Sequence, residues 1–371
     1  MDRREVLTRR LHSQLVWAPA ALEPAAVVGH FLAMQAQEYV PSQWAISQRI
    51  QGAPTAATLA AEIDAGRVLR THVLRPTWHY VLPTDVRWLL ELTGPRVHQV
   101  NGAQLRLIGL TGAELARAVE VIAGCVSTGQ HRVRAELGAA LGEAGLPSSG
   151  QGLTYAVMTA EIERVIISGA SRGKQRTYVA FDDRVPPAHT PLDRPTALAD
   201  LAWRYLAARG PATARDLALW SGLTLTDARS AVRLAVERAP DDLVEVDVEG
   251  VVHWMPRASF EQVRVPPQTP RADLLQAYDE YVMGYTETRG YFTPPGYRAP
   301  TVPTRLPHHV VVDGLLRGSW GHSIGARSVT VTVLPFAEMG TRERAAVEQA
   351  AGRYADFHAL PLQLRWEAPV G

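Results

Sequence analysis

One pattern constrains this chain more than any other: a cluster of short amphipathic helices followed by a two-stranded ribbon, met three times in succession. The clearest copy runs from Pro195 to Met255. Ala197 to Arg209 places Leu198, Leu201, Ala202, Tyr205 and Leu206 at helical spacing and stops at Gly210-Pro211. Thr213 caps a short helix through Trp220 that ends at Gly222, and Thr226 to Ala239 carries a third apolar stripe. The run LVEVDVEGVVHWM then alternates across Val244, Val246 and Val248, turns at Glu249-Gly250 and returns from Val251 to Met255. Three helices and a ribbon make a winged helix, a helix-turn-helix variant that sets its last helix in a DNA groove.

A second copy has predicted helices at Gly112 to Ser127, Arg132 to Ala144 and Gly152 to Glu163, and its ribbon reads RVIISG, ASRGK, QRTYVAF. The first copy is longer, with helices near Arg3 to Leu15, Pro24 to Met34 and Thr55 to Ala65, and a ribbon from Val68 to Leu82 broken at Arg75-Pro76. After Pro266 the texture changes, because Pro266, Pro267, Pro270, Pro294, Pro295, Pro300, Pro303 and Pro307 interrupt helical pattern. There HHVVVDGLLRGSW turns at Asp313-Gly314, Ser328 to Leu334 reads as a strand, Thr341 to His358 as an amphipathic helix, and LPLQLRWE as a closing strand. The expected fold class is α+β: three tandem winged-helix subdomains over residues 1–110, 111–190 and 191–265, and a C-terminal β-rich domain, a small barrel, over 266–371.

The chemistry such a scaffold carries is narrowed by what is missing. Net charge is +1, so any nucleic-acid footprint must be local. Lys174 is the only lysine among 38 basic residues; GC-rich codon usage accounts for most of that bias, although arginine forks also suit phosphates. A single cysteine, Cys125, excludes an intrachain disulfide and any cysteine-based zinc cluster, which fits the cytosol. No apolar run approaches the length of a membrane span, and MDRREVLTRRLHSQLV has no apolar region behind its arginines, so no secretory or twin-arginine signal is expected. Phosphate-loop, zincin, nucleophile-elbow and dinucleotide signatures are absent. His308 and His309 would point to opposite faces of a strand, a poor metal pair. No metal and no cofactor is expected.

The segment FLAMQAQEYVPSQW is chemically odd, since Gln35, Gln37, Glu38 and Gln43 crowd the end of an apolar helix. Gln35 and Gln37 share a side if the chain is extended there and face nearly opposite sides if it is helical. Two amides can hold a water from two directions, one accepting and one donating. Capping of a helix end by polar side chains is the competing account, and residue chemistry alone favours it.

Five runs taken in order, FLAMQAQEYVPSQWA, THVLRPTWHYVLP, AEIERVIISGASRGKQRTYVAF, RYLAARGPATARDLALWSGL and LLQAYDEYVMGY, resemble the AlkZ family of winged-helix DNA glycosylases over nearly the whole chain. The resemblance implies three winged helices and a β-rich domain around a concave DNA-binding face, and excision of N7-alkylated guanine. It also implies that bulky adducts or interstrand cross-links are unhooked in antibiotic producers. The family's catalytic signature, glutamine, aliphatic, glutamine, falls on Gln35, Ala36 and Gln37. The sister YcaQ-like branch has aspartate at the second position, so Gln37 places the chain nearer the AlkZ branch; Ala36 is smaller than the usual middle residue.

That chemistry is coherent. N7 alkylation fixes a positive charge on guanine, so the base leaves without being protonated, and the enzyme must chiefly place a water beneath C1′ and stabilise an oxocarbenium-like sugar. Neutral glutamines position water but are poor bases, which predicts inactivity on undamaged DNA. Gln35 and Gln37 are therefore the expected catalytic residues, and Glu38 is read as a solvated helix-end carboxylate, with electrostatic help to the reaction as the alternative. On the ribbon, Arg75 could meet a phosphate, and Thr77 and His79 share the face that could reach a sugar or base edge; Trp78 is expected in the core. Arg172, Lys174 and Arg176 form the most concentrated basic turn, at a wing tip suited to gripping phosphate. Tyr278, Asp279, Glu280 and Tyr281 are read as fixing the last domain against the cleft. The expectation is a monomeric, cofactor-free, monofunctional glycosylase acting on damaged double-stranded DNA, without lyase chemistry because the sole lysine lies in the wing. The alternatives are a non-catalytic winged-helix DNA-binding regulator and a protein that sequesters the toxin itself.

Overall fold

The computed structural model describes residues 1–127, 129–187, 191–266, 270–294 and 307–369; Pro267, Pro295, Pro300 and Pro303 of the expected proline-rich stretch lie outside the described residues. The first unit comprises α1 (Arg3–Ser13), α2 (Pro24–Phe31), β1 (Ala33–Gln35), α3 (Tyr39–Ser47), α4 (Ala56–Asp64), β2 (Leu69–His72) and β3 (Trp78–Val81), and leads into α5 (Pro83–Leu107). The second comprises α6 (Gly112–Cys125), β4 (Arg132–Val133), α7 (Arg134–Glu143), α8 (Gly150–Ile162), β5 (Ile166–Ser168) and β6 (Thr177–Ala180). The third comprises α9 (Arg194–Arg209), α10 (Ala214–Ser221), α11 (Leu225–Arg238), β7 (Leu243–Val248), β8 (Val251–Pro256) and a short α12 (Arg257–Glu261). The last holds β9 (Ala272–Leu275), α13 (Glu280–Met283), β10 (His308–Val312), β11 (Leu315–Ile324), β12 (Val329–Pro335), α14 (Thr341–Phe357) and β13 (Leu362–Trp366). Three winged helices and a β-rich terminal domain are thus present, and none of the described helices is long and apolar enough to cross a membrane.

Local signals explain most of the third unit. Asp193 caps α9, Thr213 and Asp216 form a capping box on α10, Thr224 caps α11, and Gly222 ends α10 in the left-handed region. The ribbon is an antiparallel pair with Val248 opposite Val251 around the Glu249-Gly250 turn.

Other segments depart from the sequence expectation. The helix expected to reach Met34 ends at Phe31, where Leu32 turns to φ 65°, and Ala33–Gln35 becomes a strand paired with β3. The reason is tertiary: Arg209 on α9 donates to the carbonyls of Phe31 at 3.0 Å and Ala33 at 2.9 Å, groups that a helix end leaves unpaired. Tyr39–Ser47 and Pro83–Leu107 form helices with no counterpart in the sequence reading; the second is 25 residues long and absorbs Pro95 internally. Beside that proline, Gly94 lets α5 approach α8, since a Cβ there would meet the Ile162 side chain at 3.2 Å.

The terminal domain corrects the expectation of a small barrel. Among the described residues its sheet is open, in the order β13-β12-β11-β10-β9, with β13 parallel to β12 across the α14 crossover. Helix α14 lies over the sheet through Val347, Ala350, Ala351, Tyr354 and Phe357, and the same apolar cluster takes in Val27, Phe31, Trp44 and Tyr80 of the first unit. A second cluster joins the first ribbon and α5 to the third unit through Leu74, Leu89, Leu201, Tyr205 and Trp220. The first ribbon is therefore clamped between the third winged helix and the terminal domain.

Candidate active site

Strand β1 lies along β3, with Gln35 opposite His79, and β3 lies along β2, with His79 opposite Thr71. Cross-strand partners share a face, so Gln35, His79 and Thr71 form one row, with Thr77 two residues before His79 on the same side. The chain stays extended past Gln35, because Ala36 N donates to Trp78 O at 2.8 Å. Neither of the two arrangements open to Gln35 and Gln37 spans both residues: Gln35 closes β1, and Gln37 lies at the bend between that strand and α3. Gln35 is buried, and its Oε1 accepts from Arg75 Nη2 at 3.3 Å; Gln37 is half-buried, and its Oε1 accepts from Trp78 N at 3.4 Å.

Three buried polar atoms around this row, Arg75 Nε, Thr77 Oγ1 and His79 Nε2, have no hydrogen-bond partner among the described residues. Native interiors pair nearly all such groups, so a cluster of them marks a place for water or ligand. His79 is fully buried, and its Nδ1 lies 3.0 Å from Thr77 O. A carbonyl can only accept, which assigns the ring proton to Nδ1 and leaves a bare lone pair on Nε2. Burial, reinforced by the Arg75 guanidinium, holds the imidazole well below its usual range and keeps it neutral.

The row is held from behind by a buried ion pair. Glu280 Oε1 accepts from Gln35 N at 2.7 Å, while its Oε2 accepts from Arg209 Nη2 at 2.6 Å, Arg209 Nε at 3.0 Å and Trp220 Nε1 at 3.2 Å. The Arg209 guanidinium also sits over the Trp220 ring at 4.3 Å. Next to it, Asp279 takes two hydrogen bonds from Arg49, at 2.7 and 3.0 Å, and Tyr281 donates to Gly314 O at 2.8 Å. The AYDEY segment thus joins the terminal domain to the first and third units, and one of its carboxylates reaches the backbone of the glutamine signature itself. No sequence signal singles out Glu280 or Arg209 for that contact, which spans 245 positions for Glu280. A second hidden set lies under Thr71: Glu161 accepts from Thr71 Oγ1 at 3.2 Å and pairs with His72 Nδ1 at 2.5 Å.

The remaining candidates lie on the other side of the ribbon. Trp78 packs on the core shared with the terminal domain, with the His72 ring tilted against it at 4.3 Å and the Arg70 guanidinium over it at 4.5 Å. Arg70 Nε in turn donates to Ala36 O at 3.0 Å. At the second wing, Lys174 and Arg176 are exposed, and Arg176 lies 3.7 Å over the ring of Tyr39, two residues after Gln37. Arg172 is exposed as well, but it is tied back to Glu136 at 2.8 Å and to His131 O at 2.6 Å. The basic wing tip therefore reaches the helix that follows the glutamines. Glu38 is half-buried 3.7 Å from His308 Nε2, not a solvated helix-end carboxylate. His308 Nδ1 accepts from Ala277 N at 2.9 Å, and no group of three metal-ligating side chains occurs among the described residues.

A family model described as DNA glycosylase AlkZ-like matches residues 28–357. An interstrand DNA cross-link repair glycosylase of Streptomyces sahachiroi is 24% identical over 362 residues, spanning 95% of this chain and 95% of that protein. The solved structure of the Streptomyces sahachiroi DNA glycosylase AlkZ superimposes with a TM-score of 0.75 over 98% of this chain and 99% of the other, at 21% identity, and so has the same fold.

Proposed function

Since the chain belongs to the AlkZ-like DNA glycosylase family, we propose that it hydrolyses the N-glycosidic bond of cationic N7-alkylguanine in double-stranded DNA, with bulky natural-product adducts or interstrand cross-links as its substrates. The observation that carries this reading is Gln35 at the end of β1 with Gln37 at the bend that follows, beside three buried polar atoms with no partner among the described residues. Such a row suits a water that must be aimed at C1′ from a fixed direction. The cationic base is already a good leaving group, so the site needs no general acid near its N7 or O6 edge. Loss of the base leaves positive charge on the sugar, which the amide oxygens of the glutamines can face. Arg75, which donates to Gln35, is assigned to the phosphate flanking the damaged nucleotide, and Thr77 to the same water as Gln35. Arg172, Lys174 and Arg176 are assigned to backbone phosphates along the duplex; Arg172 is held by Glu136 and Arg176 packs on the Tyr39 ring.

The decisive experiment is release of N7-methylguanine, and of a bulky N7-guanine adduct, from duplex DNA by wild type, Gln35→Ala and Gln37→Ala. Release by wild type that falls sharply in both variants, with duplex affinity retained, is the expected outcome. Wild type that binds DNA but releases neither base would mean a non-catalytic DNA binder.

A further inference from the structure

We propose that His79 is a catalytic residue, the acceptor of the proton that the attacking water must lose. The inference rests on the glycosylase reading and adds to it the group that reading lacks, because a carboxamide has no useful basicity.

Three observations converge on His79. Its place in the strand register, opposite Gln35, puts both side chains on one face of the ribbon. Its hydrogen bond from Nδ1 to Thr77 O draws the ring along the strand towards Thr77, beside Gln37, and fixes the tautomer with a bare Nε2. That Nε2 is buried and unpartnered in a side chain that is itself 0% exposed. His253 on the third ribbon has the same orphaned Nε2, so what sets His79 apart is its place opposite Gln35 with the unpaired Thr77 Oγ1 and Arg75 Nε in the same row. A histidine placed to read a base edge would offer exposed surface to the duplex, and this one has none. A water is small enough to reach it, and the other two unpartnered atoms, Thr77 Oγ1 and Arg75 Nε, can complete the water's shell.

The step balances without any further reagent. The water oxygen forms the bond to C1′ as the C1′–N9 bond breaks, and the electron pair of that bond goes to the N7-alkylguanine, which leaves neutral. The proton released by the water goes to His79 Nε2, and it passes to solvent once the abasic product departs. The charged groups that face His79 are Arg75, His72 on β2 and Arg209 on α9, the last already neutralised by Glu280. Burial first, and then these neighbours, keep His79 unprotonated before the step, as an acceptor must be.

The test is single-turnover release of N7-methylguanine from duplex DNA by wild type, His79→Ala and His79→Asn across pH 5 to 9, with and without added imidazole. Affinity for a duplex carrying a non-cleavable abasic analogue is measured in parallel. Loss of on the order of 100-fold or more in rate is expected for His79→Ala, with duplex affinity retained and part of the rate restored by imidazole. The wild-type rate should be level through neutral pH and fall only in acid, and that acid limb should vanish in the variant. If His79→Ala does not fold, His79→Asn carries the test, because its amide can still donate to Thr77 O. A folded variant that keeps its rate, or one whose rate falls only in step with duplex affinity and ignores imidazole, overturns the assignment. Wild type that releases no base at all would instead overturn the glycosylase reading.

Discussion

The side chain of Glu280 accepts a hydrogen bond from the backbone nitrogen of Gln35 at 2.7 Å, so a carboxylate of the terminal domain fixes the strand that displays the glutamine signature. The other oxygen of Glu280 is engaged by Arg209, which also holds the carbonyls of Phe31 and Ala33 on either side of the turn at Leu32. One buried ion pair thus ends α2, begins β1 and holds Gln35 on extended backbone, with Gln37 at the bend just beyond. The terminal domain thereby shapes the glutamine segment, since this contact holds FLAMQA out of the helix that α2 would otherwise continue.

Glu280→Ala should destabilise the fold by about 3 to 5 kcal/mol, the cost of leaving a buried charge such as Arg209 uncompensated. Glu280→Gln keeps an acceptor for Gln35 N and should lose less stability than the alanine variant. Urea unfolding midpoints for the two variants check the ordering. A Glu280→Ala protein as stable as wild type would show that the pair contributes little to the native state.

Gly222 is the point where the third unit touches the ribbon loop. Its φ is +74°, and a Cβ there would lie 2.5 Å from Leu74 O and 3.1 Å from Arg75 Cγ. Gly222→Ala should therefore cost more than the roughly 1 to 2 kcal/mol of left-handed strain alone, and it should shift Arg75 away from Gln35. Gly250→Ala is the control, because Gly250 has φ +81° with nothing within 4 Å of a built Cβ. Equal losses of thermal stability in the two variants would mean that the contact with Leu74 yields freely.

Much of this architecture is legible in the sequence, for physical reasons. The third unit advertises its ends with Thr213, Gly222 and Thr224 and its ribbon with Glu249-Gly250, all local devices. The segment around Gln35 does not, since the short apolar run from Phe31 to Met34 satisfies a buried helix and a buried strand equally, and Arg209 and Glu280 make the choice from far along the chain. Helix α5 is obscured by Gly94-Pro95, which reads as a break yet sits inside the helix, where glycine admits α8. Gln35 and Gln37 stand out by composition and by resemblance, and Thr77 and His79 by alternation. The unpaired Nε2 of His79 could not be foreseen, because it depends on what fails to approach the ring.

The wing tip should act through charge alone. Lys174 and Arg176 are exposed, whereas Arg172 is engaged by Glu136 and by a backbone carbonyl. Lys174→Ala combined with Arg176→Ala should weaken duplex binding irrespective of sequence and lower the slope of log affinity against log salt by about two. Arg172→Ala should change the slope less. A double variant whose salt dependence matches wild type would remove this wing from the DNA interface.

Acid should destabilise the protein before its carboxylates titrate, because several histidines are buried in neutral form. Desolvation lowers His79 and His253, both 0% exposed, and brings His309 down to about 4. The unfolded chain binds protons at these positions near pH 6.5 while the native state does not, so stability is lost as pH falls below that value until each native pKa is reached. A fully buried histidine contributes up to about 1.4 kcal/mol of loss per pH unit in that window. His253 Nδ1 lies 2.9 Å from Val251 O, and its buried Nε2 has no partner, on the third ribbon and outside the glutamine row. Urea unfolding at pH 7 and pH 5 should therefore give a lower midpoint at pH 5, and His253→Phe should narrow the gap between the two. A gap that His253→Phe leaves unchanged would mean that His253 takes up its proton in the folded state as readily as in the unfolded chain.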